Sequence, residues 1–126
     1  IYLARDDYDR AIADFLTASE LAPDDPEPQG SLCWLLALTQ RADEALVHCD
    51  RAIALNDLAL YHDGRGMARA QLGDLAGAAA DFTRFADWVE AEVPGEEALI
   101  TERRQWIAAL ERGENPITAD VLARMK

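Results

Sequence analysis

The sequence is nearly devoid of lysine: Lys126 is the only one, beside eleven arginines. Acidic residues number 24, so the net charge is −12. That balance excludes generic nucleic-acid binding, which needs Lys and Arg clustered against phosphates. It disfavours anionic membrane surfaces by the same repulsion. A partner with basic flanks suits it, as does a plain solvated surface. No apolar run approaches the roughly 18 residues of a membrane helix, and no signal peptide opens the chain; the cytoplasm is the expected compartment. Only two cysteines are present, Cys33 and Cys49, too few for a disulfide framework. Strand signals are missing too, with no alternating β-branched runs and no Asn-Gly hairpin turns. Gly and Pro are few and half of the residues are hydrophobic, which excludes bulk disorder. Scarce lysine with abundant alanine is the composition of a GC-rich bacterial source.

What is present is helical spacing. Tyr8, Ala11, Phe15, Ala18 and Leu21 recur in steps of three and four, and Pro23 with the DDPEP run stops that helix. Further helices are expected over about 27–39, 42–55, 59–71 and 75–91, with Pro28 delaying the start of the first of these. Pro94-Gly95 is a break. A sixth helix over about 96–112 ends at Gly113, a C-terminal cap, and Thr118 caps a last short helix through Met125. At 126 residues the chain is one domain in size, burying roughly two-thirds of its unfolded surface.

Ala11, Ala45 and Ala78 hold equivalent places in the first, third and fifth helices, 34 and then 33 residues apart. A period near 34 built from helix–turn–helix units marks a solenoid. Ala11, Phe15, Ala18 and Pro23 supply a small residue, an aromatic four later, a small residue three beyond and a closing proline. Gly66, Gly73, Asp74, Leu75, Ala78 and Phe82 repeat the register in the last copy. In these positions the sequence resembles the tetratricopeptide repeat family. The resemblance covers residues 1 to about 91 and implies an all-α antiparallel helix-hairpin solenoid of about two and a half repeats. Residues 1–93 form the repeats (1–25 partial, then 26–58 and 59–93), and 94–126 form a C-terminal capping helix and a short terminal helix. The capping helix presents Leu99, Arg103, Trp106, Ile107 and Leu110 on one face. Ile1 and Tyr2 fall near the end of a truncated helix, so a piece of a longer bacterial protein is expected. Departures are Gln29 in place of an aromatic, Cys33 in place of glycine, and Phe85 in place of a small residue.

No catalytic constellation is found. His48 and His62 read as surface histidines. Cys33 and Cys49 face each other within one hairpin and read as two small core thiols; a redox pair or half a metal site is the alternative, without CxxC spacing to support it. The HDGRG stretch lacks the preceding strand of a phosphate loop. Most carboxylates sit at turns and helix starts, where the helix dipole favours them. No cofactor and no metal is expected, and no enzyme activity.

The resemblance implies a concave groove lined by the first helix of each pair. The repeat register places Glu27, Trp34, Ala37 and Leu38 there, followed by Asp63, Met67, Ala70 and Gln71. The Lys, Arg and Asn that clamp a C-terminal carboxylate in some family members are absent. An apolar patch of Trp34, Leu38 and Met67 with an acidic fringe suits an amphipathic helix or apolar peptide with basic flanks. The leading expectation is a non-enzymatic protein–protein interaction module, with Trp34 and Met67 as anchors. A regulatory or substrate-presenting appendage of an enzyme lying outside the chain is the alternative. A homo-oligomer formed through the groove or the N-terminal face is a third reading.

Overall fold

The computed structural model describes residues 5–126. Among them, seven helices run in order: α1 (Arg5–Leu21), α2 (Pro26–Leu38), α3 (Ala42–Leu55), α4 (Ala59–Gln71), α5 (Leu75–Glu92), α6 (Glu97–Glu111) and α7 (Ala119–Met125), with no strand. Ile1 and Tyr2, expected at the end of a truncated helix, lie outside the described residues.

Helix starts follow local chemistry. Asp25 caps α2 by accepting from the Glu27 amide at 3.0 Å. That helix begins at Pro26 rather than later, because Pro26 and Pro28 both fall in the first turn, where the backbone N–H has no helical partner to lose. Asp74 caps α5 through the Gly77 amide, and Thr118 caps α7 through the Val121 amide. Three helix ends share one pattern. After α4, Gly73 N–H bonds the Ala70 carbonyl and Asp74 N–H the Arg69 carbonyl; after α6, Gly113 and Glu114 do the same with Leu110 and Ala109. Gly73 and Gly113 adopt φ of +86° and +81°, the left-handed geometry this cap demands. After α2 the same bonds are made by Gln40 and Arg41, with Gln40 at φ +61°.

Each helix packs on its successor from α1 to α6; α2 also packs on α4, and α7 reaches back to α2. Small residues set the close approaches. Ala45 and Ala78 are fully buried. A Cβ on Gly66 would come within 2.8 Å of the Phe82 ring, and Phe82 in turn packs on Trp106 of α6 with ring centroids 5.3 Å apart. One apolar cluster runs from Ile12 through Leu32, Leu36 and Phe82 to Ile107 and Leu122. The face expected of the capping helix is buried at Arg103, Trp106, Ile107 and Leu110. No described helix is long and apolar enough to cross a membrane.

Candidate functional site

A cleft of about 890 Å³ opens between α2 and the N-terminal half of α4, with α1 and α6 as its side walls. Phe15 and Ala18 come from α1, Pro28 and Trp34 from α2, Tyr61 from α4, Phe85 from α5 and Leu99 from α6. Two carboxylates, Asp25 and Glu27, stand at the edge. Burial pushes the Tyr61 hydroxyl up from its ordinary value, and the negative charges of Glu27 and Asp25 push it the same way. The cleft therefore combines apolar walls with carboxylates at its edge. Its shape depends on glycines: a Cβ on Gly64 would press on the Cys33 sulfur at 2.6 Å, and one on Gly30 would collide with the Tyr61 ring.

Asp63 and Arg103 form the back of the cleft. The Arg103 guanidinium donates to both Asp63 oxygens, at 2.8 and 3.0 Å, with each side chain 3% exposed. It also donates to Glu102 at 2.9 Å and lies over the Trp106 ring, 4.2 Å from its centroid. Burial pushes the Asp63 carboxyl up, opposed by the fork of Arg103. This pair ties α6 to α4 and offsets the Asp63 charge with that of Arg103.

The eight residues expected at the groove divide into three at the cleft, four in the core, and Gln71. Glu27, Trp34 and Asp63 border the cleft. Ala37, Leu38, Met67 and Ala70 are buried in the apolar cluster that also contains Ile117 and Leu122. Gln71 donates to the Ala37 carbonyl at 2.8 Å and the Met67 carbonyl at 3.2 Å. Met67, wholly buried, offers a ligand no surface. The repeat register put these residues on one face; the cluster in which they are buried also draws on Ile117 and Leu122, far along the chain. Tyr61 was missed, although it lies on the same face of α4 as Gly64, one turn earlier.

The histidines and cysteines depart from expectation. His62 is buried, not a surface residue: its ring nitrogens meet Asp57 at 2.7 Å and Asp81 at 3.0 Å. Asp81 also accepts from Arg65 and Arg69, and Arg65 reaches Asp50 of α3. The hydrogen bond from His62 holds the Asp57 carboxyl below its ordinary range. Through these bonds the network joins α3, α4 and α5. His48 is half-buried and bonded to Gln29 at 2.6 Å, and this polar pair stands where an aromatic was expected to pack. Cys33 and Cys49 are not free thiols but a disulfide joining α2 to α3; facing positions in a tight hairpin bring the sulfurs together. Such bonds persist in oxidising compartments and are rare in reducing ones.

Comparison with known proteins found no matching family model, no matching curated protein and no matching solved structure.

Proposed function

We propose that the chain is a non-enzymatic interaction module of tetratricopeptide type whose cleft seats an apolar or amphipathic helix with basic flanks. The observation that carries this reading is the cleft itself, apolar within and edged by Asp25 and Glu27. Support for the repeat assignment comes from the 34- and 33-residue spacing of Ala11, Ala45 and Ala78 and from the full burial of the latter two. Clefts of several hundred Å³ lined mainly by aromatic and aliphatic groups are the ordinary form of a binding site. Trp34 is the anchor retained from the sequence, and Tyr61 and Phe15 join it; Met67 does not.

The test uses the full chain and a matched pair of amphipathic peptides, identical in their apolar face and flanked by arginine or by glutamate. The arginine-flanked peptide is expected to bind preferentially. Trp34→Ala should weaken it by ~1 kcal/mol or more, the loss of an interface anchor, and Glu27→Lys should erase the preference while leaving the fold unchanged. Equal affinity for both peptides, or Trp34→Ala losing stability and binding together, would sink the reading.

A further inference from the structure

Helices α2 and α4 lie side by side, and the open cleft is lined by α2 from Glu27 to Leu35 and by α4 from Leu60 to Gly64. Their last turns carry the chain's own tail. Gly113 turns the backbone after α6, and Asn115 then donates to the Ala70 carbonyl of α4 at 2.7 Å. α7 packs on α2. Arg124 reaches Glu102 of α6 at 3.4 Å, and the Lys126 ammonium lies 6.0 Å from the centroid of the Tyr8 ring of α1. Ile117 and Leu122 are buried in the same cluster as Leu38, Met67 and Ala70, with Val121 and Met125 packed against it.

Two features set this tail apart from the helices before it. α7 has seven residues, well short of the roughly 12–15 at which an isolated helix begins to hold in water, so docking keeps it helical. Within α7 only Leu122 is fully buried, whereas α6 buries five side chains. The second feature is chemical. Val121, Leu122 and Met125, spaced i, i+1 and i+4, share one face of α7 against the cluster, and cations stand at its end, which makes the tail a short amphipathic helix with a basic flank, the same class of ligand that the neighbouring cleft suits.

We infer that residues 115–126 are a tethered ligand on the C-terminal half of the α2–α4 surface. A partner helix of the same pattern, apolar at positions i, i+1 and i+4 and basic in its last turn, docks there by displacing α7. This rests on the reading of the chain as a helix-binding module. The tether gives α7 a local concentration in the millimolar range. A partner in trans therefore binds with an affinity scaled down to the fraction of time α7 is undocked. A partner longer than the cleft would engage both halves of the surface in succession.

The test has two arms on the full chain. Hydrogen exchange should find the amides of 119–125 opening faster than those of α2–α5 by about tenfold or more, a sub-global event. Exchange of α7 only with global unfolding makes it a fixed part of the core and overturns the proposal. In the second arm a labelled peptide with the sequence 114–126 is titrated into the wild type and into the Ile117→Asp/Leu122→Asp variant. The variant should bind about tenfold more tightly while keeping the helicity of α1–α6. Binding no tighter than wild type, or wholesale unfolding of the variant, overturns the proposal. If α7 opens and the tail peptide binds, but arginine-flanked peptides show no preference at the cleft, the cleft reading alone fails.

Discussion

Asp63 and Arg103 lie 40 positions apart in the sequence and form a forked pair with both side chains almost wholly withdrawn from water. Removing a charge from water costs several kcal/mol, and mutual attraction returns that only while both partners are present. Asp63→Ala should therefore destabilise the fold by ~3–5 kcal/mol, the cost of stranding Arg103. The double change Asp63→Leu/Arg103→Met should recover most of the loss, and urea unfolding of the three variants decides it. A double variant as unstable as the single would mean that the pair is held by more than charge. His48 supports a pH prediction. Burial, reinforced by the charge of Arg51, lowers its pKa below the ordinary 6.5. In the window between the folded value and 6.5 the unfolded chain binds the extra proton and the folded one does not. The stability associated with neutral His48 is thus complete above 6.5 and is lost as the pH falls through the folded value. Unfolding at pH 7.5 and pH 5 should separate wild type from His48→Gln, with the variant losing less on acidification.

Among the elements, the α2–α3 hairpin is covalently closed by Cys33–Cys49, at a sequence separation of 16. Closing a loop of about that length removes ~3 kcal/mol of unfolded-state entropy in the chain-entropy account. Cys33→Ala/Cys49→Ala should lower stability by that order without changing helix content, as read from unfolding curves and circular dichroism. An unchanged midpoint would mean that the hairpin is preorganised when reduced. The hairpins themselves were legible from sequence because capping and breaking are local. Pro23 ends α1's reach, Gly73 and Gly113 supply left-handed caps, and Asp74 and Thr118 accept the first amides of their helices. Gln40 was not legible as a cap, since it adopts at φ +61° the geometry that glycine holds at the equivalent turn. Packing there imposes a conformation that the residue type does not advertise.

For the whole molecule, the period of small residues and the apolar faces determined the helix order and spacing, because a 3.6-residue repeat and a buried stripe are properties of each segment alone. The repeat resemblance implied a continuous groove through Trp34, Leu38 and Met67. Tertiary structure divided that surface, leaving Trp34 at an open cleft and placing Leu38 and Met67 in one core with Ile117 and Leu122. It also decided that Arg103 pairs with Asp63, that His62 is clasped between Asp57 and Asp81, and that the two cysteines are bonded. Each of these joins groups between 5 and 40 positions apart, most of them on different helices. Helical periodicity tells which side of a helix is apolar; which segment covers that side is settled only when the helices meet.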